Sequence, residues 1–207
     1  FDIIVSVDTS TPQVMEESAK VGAGMINDVR ALQKDNALVT AAKTGLPICL
    51  MHMQGQPDNM QKKPNYQQVV DDVKTFLVER MSACERSGID KSRLLIDPGF
   101  GFGKSLDHNL ELVRRLRELE SLGCPILVGL SRKSMIAKIF ESDGVFEKSP
   151  KTTSTSLSIE NERLIGSVSL ALLAAERGAR IIRVHDVAAT REALQILHSI
   201  NDNPHPL

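Results

Sequence analysis

Leu94-Leu95-Ile96-Asp97-Pro98-Gly99-Phe100-Gly101-Phe102-Gly103-Lys104 is the stretch whose reading decides the fold. An apolar run ends in a carboxylate, and glycines then recur at every second position. Asp107 follows as a candidate cap for a helix whose Leu110, Val113 and Leu116 form one stripe before Gly123 and Pro125. The pattern is a buried strand, a tight turn and an amphipathic helix. It recurs on both sides. Strand-like runs are Ile3–Asp8, Met25–Asp28, Ile48–His52, Leu94–Asp97, Ile126–Leu130 and Ile181–His185. Their bodies are apolar, as in parallel strands covered on both faces, and most end in an ionisable residue: Asp8, Asp28, His52, Asp97, His185.

The intervening helices are punctuated. Ser10-Thr11-Pro12 offers an N-cap followed by proline, and Gly22 stops that helix. Apolar residues at helical spacing run through Tyr66–Ser87 to Gly88; Glu160–Arg177 stops at Gly178, and Val187–Ile200 is the last helix. Six strand–helix units in strict alternation predict a parallel sheet with helical crossovers. Two architectures fit: a doubly wound open sheet, or a (β/α)8 TIM barrel short of two units. Two units of about 30 residues would bring this chain near the ~250 residues typical of such a barrel. In both, polar strand ends gather at the carboxyl edge of the sheet, where ligands bind.

Composition narrows the function. The 207 residues hold 25 basic and 26 acidic side chains, and aromatics are 3% with no tryptophan. There is neither a field to attract nucleic acid nor a platform on which bases could stack. No apolar run approaches the ~20 residues of a membrane span, and no signal peptide opens the chain. Cys49, Cys84 and Cys124 are odd in number and scattered, so they read as reduced thiols of a cytoplasmic α/β protein. Residues 1–207 form one domain, with a mobile loop at Ser149–Ser158 and a frayed tail over 201–207. Phe1 leads almost at once into the first strand-like run, so the chain is expected to be cut at its start.

Three clusters carry chemistry. The spacing Gly99 to Gly103 is one residue short of a nucleotide-binding P-loop, but Asp97 can accept two N–H bonds from a 2-aminopyrimidinone edge. The bland alternative is a glycine-rich turn. Ser131-Arg132-Lys133-Ser134 places two cations and two hydroxyls where a strand passes into a helix N-terminus, either an anion site or a solvated basic turn. In Arg183-Val184-His185, alternation puts Arg183 and His185 on one side of the strand, a grip for pyrophosphate. Asp8 and Asn27 add polar groups at two further strand ends. Met51-His52-Met53 could be a soft metal site but reads better as core, with Met51 an apolar wall and His52 unassigned.

The runs Ser-Val-Asp-Thr-Ser (6–10), Ile-Asn-Asp-Val-Arg (26–30), Met-His-Met-Gln-Gly (51–55), 97–104, Ser-Arg-Lys-Ser (131–134) and Ile-Arg-Val-His-Asp-Val (182–187) resemble bacterial dihydropteroate synthases, in order and over nearly the whole chain. The resemblance implies a pterin-binding TIM barrel lacking its first two βα units. It implies a transferase of folate biosynthesis that condenses 6-hydroxymethyl-7,8-dihydropterin pyrophosphate with 4-aminobenzoate, giving 7,8-dihydropteroate and pyrophosphate. Sulfonamides would inhibit it, Mg²⁺ would assist departure of pyrophosphate, and the full-length protein would be a homodimer. Asp8, Asn27, Met51, Asp97 and Lys133 resemble the pterin site, and Phe102, Lys133 and Ser134 the 4-aminobenzoate site. Arg183 and His185 resemble the pyrophosphate site, and Asp8, Lys133 and His185 the catalytic residues.

The family's N-terminal Asn-Val-Thr-Pro-Asp-Ser-Phe-Ser-Asp-Gly segment, with its metal-binding Asn, is absent from these residues, as is a second loop with Arg-Pro. The 207 residues alone are therefore expected to hold no metal ligand and to lack synthase activity. The segment Glu141–Ile159 is longer than the usual connection. Two other readings compete: a pterin-binding methyltransferase domain feeding a corrinoid, disfavoured by Ser131–Ser134, and a non-catalytic pterin-binding remnant.

Overall fold

A computed structural model of the chain describes residues 3–55, 64–142 and 156–201. The elements alternate: β1 (Ser6–Asp8), α1 (Pro12–Lys20), β2 (Met25–Asp28), α2 (Ala37–Thr44), β3 (Ile48–Met51), α3 (Val69–Arg86), β4 (Leu94–Asp97), α4 (Leu106–Arg114), β5 (Ile126–Val128), α5 (Ser134–Ser142), α6 (Ser156–Glu176), β6 (Ala179–Ile182) and α7 (Val187–Asn201). Every strand pair is parallel, and the spatial order is β1-β2-β3-β4-β5-β6. A doubly wound sheet reverses its strand order part-way. None is reversed here, so the sheet is an open arc of a (β/α)8 barrel, with β1 and β6 at its two edges. No helix among the described residues is long and apolar enough to cross a membrane.

The faces of the arc bury different things. Ile26, Ile48, Leu50, Leu94, Ile96, Ile126 and Val128 point outward into the main core, against helix residues such as Val70, Val73, Leu77 and Leu112. Each such side chain contributes about 1.5–3 kcal/mol on burial. On the inner face Met25, Cys49, Leu95 and Leu127 form a separate small apolar cluster. In register Asn27 lies beside Cys49, Cys49 beside Leu95, and Met51 beside Asp97. The inner face is thus apolar below and polar at its carboxyl rim. Asp28 alternates outward instead and is fully buried. It accepts the Arg30 and Leu32 amides, each at 2.9 Å, and the Ser10 hydroxyl, and so holds the turn after β2.

Several expected boundaries move, each for a tertiary reason. α1 does start as expected, with Thr11 as N-cap ahead of Pro12, while the Ser10 hydroxyl serves Asp28. Asp107 is not the cap of α4; Ser105 is, in a capping box closed by His108. The helix expected from Tyr66 begins at Val69, because the Tyr66 hydroxyl donates to Gly103 O at 2.8 Å and holds that residue in the connection. The strand expected over Ile3–Asp8 is Ser6–Asp8, and Ile3, Ile4 and Val5 stay largely exposed. The run Ile126–Leu130 is strand only to Val128, and Ile181–His185 is replaced by Ala179–Ile182. Arg183 N still donates to Val128 O at 2.8 Å, but His185 N turns to Ser131 Oγ and ends the ladder. The loop expected at Ser149–Ser158 lies outside the described residues up to 155, with α6 under way from Ser156; the tail over 202–207 also lies outside them.

Candidate functional site

Asp8 and Asn27 are register partners at the ends of β1 and β2. Asn27 Nδ2 donates to Asp8 Oδ1 at 2.7 Å, and Arg183 Nη2 donates to Asp8 Oδ2 at 3.1 Å, across the open seam between β1 and β6. A carboxylate only accepts, so the amide orientation of Asn27 is set by Asp8. Its Oδ1 is then left buried with no partner among the described residues. Such an atom is costly unless something supplies a donor.

Met51 and Asp97 lie side by side at the ends of β3 and β4, both buried. Asp97 Oδ1 accepts the Gly99 amide at 2.7 Å. Burial pushes the Asp97 carboxyl up from its ordinary value, against the Gly99 bond and the charges of Lys133, Lys104 and Arg183. Beneath them the Cys49 thiol is pushed well up, by burial first and then by Asp97 and Asp8. It is an inert floor.

The glycine-rich turn rises over this rim. Gly99 and Gly103 have φ of +70° and +63°, and a side chain at either would meet a backbone carbonyl, of His52 and Gln54 respectively. Lys133 donates to Phe100 O and sits 4.5 Å from the centre of the Phe102 ring. Burial lowers its pKa to about 8, with Asp97 raising it and Arg183 lowering it.

The Ser-Arg-Lys-Ser turn divides its residues between two tasks. Arg132, at φ +56°, does not join an anion site: its guanidinium pairs with Asp186 at 3.0 and 2.6 Å. Its amide donates to Ser167 Oγ at 2.9 Å, which anchors the turn to α6. Ser131 Oγ lies 3.0 Å from His185 Nδ1, tying the turn to the end of β6. Ser134 is exposed at the start of α5. Arg183 and His185 both follow β6 at the carboxyl rim, but Arg183 reaches Asp8 while His185 reaches Ser131.

The structure therefore links Asp8, Asn27 and Arg183 by hydrogen bonds, sets Met51 beside Asp97, and brings Lys133 onto Phe100 and Phe102. It also reveals two groups that the sequence reading passed over. Lys104 is buried and donates to Gly99 O at 2.9 Å and Phe102 O at 3.1 Å, and lies 2.9 Å from His52 Nδ1. His52 faces outward from β3, packed on Phe76 and Tyr66. The signal was present: a lysine closing a glycine run, and a histidine inside an apolar one. Among the described residues, no three His, Cys, Asp or Glu side chains converge as metal ligands. In Met51-His52-Met53, Met51 is buried at the inner rim and the His52 ring contacts Lys104 and two aromatic rings.

Residues 1–185 match the family described as pterin binding enzyme. The dihydropteroate synthase of Escherichia coli K12 is 48% identical over 96% of this chain, and the chain spans 65% of the length of that relative. The synthase of Neisseria meningitidis serogroup C is 43% identical over 98% of this chain and 68% of its own. Among solved structures, a Yersinia pestis dihydropteroate synthase with a sulfonamide drug superposes with a TM-score of 0.86 at 47% identity, covering 97% of this chain and 67% of that one. The Xanthomonas albilineans enzyme in complex with 7,8-dihydropteroate does so with 0.83 at 44%, covering 98% and 70%. The family match over residues 1–185, the sequence identities and the superpositions agree: the chain belongs to the dihydropteroate synthase family of pterin-binding enzymes.

Proposed function

We propose that this chain provides the pterin, arylamine and pyrophosphate contacts of a dihydropteroate synthase, the transferase that joins 6-hydroxymethyl-7,8-dihydropterin pyrophosphate to 4-aminobenzoate. The orphaned Asn27 Oδ1 carries the reading. With the buried carboxylate of Asp97 it offers acceptors on an inner face floored by apolar side chains, which suits the N–H edge of a flat aminopyrimidinone. Lys133 supplies a donor for the ring's acceptors, and Met51 an apolar contact. Phe102, Lys133 and Ser134 would border the arylamine. The exocyclic C–O bond breaks, its electron pair leaving with pyrophosphate, whose charge Arg183 and His185 meet. The arylamine lone pair then forms the C–N bond and its nitrogen loses a proton, with Asp8, Lys133 and His185 the titratable groups at hand.

The resemblance also implies Mg²⁺. Asp8, the carboxylate that pairs with Arg183, already accepts from Arg183 and Asn27, and no ligand cluster exists among the described residues, so they do not fit a metal cage and no step is assigned to the ion. A homodimer of the complete protein is supported by Ile196 and Ile200, exposed on α7. Binding tests the reading. Calorimetry should show the chain taking the pterin pyrophosphate, then 4-aminobenzoate or a sulfonamide, with Asp97→Asn weakening the pterin at least about tenfold. A chain that binds a pterin but neither arylamine nor sulfonamide would be the methyltransferase type instead. Binding of neither would leave a remnant.

A further inference from the structure

Lys104 has no substrate role of its own, yet its side chain holds the backbone of the glycine-rich turn at two carbonyls, that of Phe102 among them. The turn has one internal backbone bond, from Phe102 N to Gly99 O at 3.1 Å, but Gly99, Gly101 and Gly103 all have left-handed φ, at +70°, +79° and +63°, and no side chains to pack. Each residue is held from outside. Asp97 takes the Gly99 amide, Asn109 Oδ1 takes the Gly101 amide at 2.7 Å, and the Tyr66 hydroxyl donates to Gly103 O. The two lysines grip alternating carbonyls from opposite sides. Lys133 takes Phe100 O from the inner face, and Lys104 takes Gly99 O and Phe102 O from behind. The third partner of Lys104 is His52 Nδ1, which accepts from the charged lysine when the ring proton is on Nε2.

We propose that Lys104, seated on His52, is a positioning residue for the arylamine. By holding the carbonyls on either side of the Phe100–Phe102 segment it fixes the Phe102 ring and the Phe100 carbonyl, and through them the ammonium of Lys133. The proposal rests on the assignment of 4-aminobenzoate to Phe102 and Lys133 made above. The pterin depends on this clamp less than the arylamine does: Asn27 is a residue of β2 and holds Asp8, and Asp97 is a residue of β4, so only Lys133 and the Gly99 amide link the pterin groups to the turn. Burial lowers the Lys104 pKa to about 7, with Asp97 raising it and Lys133 lowering it; in its charged form its three donors match the three acceptors around it. Burial and the charge of Lys104 push His52 down to about 3, so it remains a neutral acceptor near neutrality.

The test compares two ligands on the chain and on Lys104→Met, which keeps the length of the side chain and removes its donors. 4-Aminobenzoate is titrated with 6-hydroxymethylpterin and inorganic pyrophosphate present, and the pterin is titrated separately. The expected result is a tenfold or greater loss for 4-aminobenzoate and a loss of threefold at most for the pterin, which feels the clamp only through Lys133 and the Gly99 amide. Equal losses for both ligands, or no loss, would overturn the proposal. His52→Phe retains ring packing against Phe76 and leaves Lys104 its two carbonyls; it should weaken 4-aminobenzoate about threefold and the pterin by clearly less. If Lys104→Met does not fold, that second variant decides, and an equal or absent effect overturns the proposal. If the unmodified chain binds the pterin but no arylamine, the site assignment beneath the proposal fails, and the proposal with it.

Discussion

Arg183 shows how little an exposed ion pair does for stability and how much the same cation can do for a ligand. Its pairing with Asp8 has both side chains about half exposed, at 61% and 49%. Such pairs are worth about 0–1 kcal/mol. Arg183→Ala should therefore leave the melting temperature nearly unchanged, yet weaken the pterin pyrophosphate about tenfold or more relative to the same pterin without phosphates. Parallel titrations check this, and equal losses would make Arg183 structural. His52 works the other way. Its pKa is lowered from 6.5 to about 3, so between those values the unfolded chain binds a proton that the folded chain does not. Stability therefore falls as pH drops from about 6.5 towards 3, by at most about 1.4 kcal/mol per unit from this residue. Urea unfolding at pH 4 to 7 should show a steeper acid loss in the chain than in His52→Phe. Lys133 limits the alkaline side: with a pKa of about 8, pterin affinity should hold below pH 8 and decline above it, an upper limb that Lys133→Arg removes.

Among the elements, the glycine-rich turn is the segment least tolerant of change. Gly22 has φ +97° with open space where a Cβ would stand, whereas at Gly99 the Cβ would meet the His52 carbonyl. Gly22→Ala should cost about 1–2 kcal/mol from backbone strain alone. Gly99→Ala adds the clash and should cost about 3 kcal/mol or more, read from denaturant midpoints. The type and order of the elements were legible because burial on two faces writes a distinctive pattern into Leu94–Ile96 or Ile48–Leu50. Their ends were not. Asp107 is a good cap by type, but Ser105 takes that place in a capping box closed by His108. Tyr66 fits the helical stripe of α3, but Gly103 holds it outside. The site divided in the same way. Asp97 and Asn27 could be found as polar ends of apolar runs, whereas Arg132 looked like an anion ligand until Asp186, 54 positions on, appeared as its partner.

The largest question, an open doubly wound sheet against an arc of a barrel, could not be settled by periodicity, since each βα unit looks alike in both. The strictly sequential order settles it. Among the described residues that order leaves β1 and β6 without a second neighbour, and Ile4 is 80% exposed beside β1. Exposed apolar edges invite strand addition from another molecule. Ile4→Lys should lower self-association by light scattering without altering pterin binding, and unchanged association would place the adhesive surface elsewhere.

Strict order has a consequence for biosynthesis. No strand has to be inserted between two others, so a nascent chain leaving the ribosome can add each strand to an edge completed moments before. Synthesis at about 5–20 residues per second leaves time for each unit to settle before the next emerges. Chains arrested after β4 should already resist protease over β1 to β4, because all pairings among those strands lie within the portion already made.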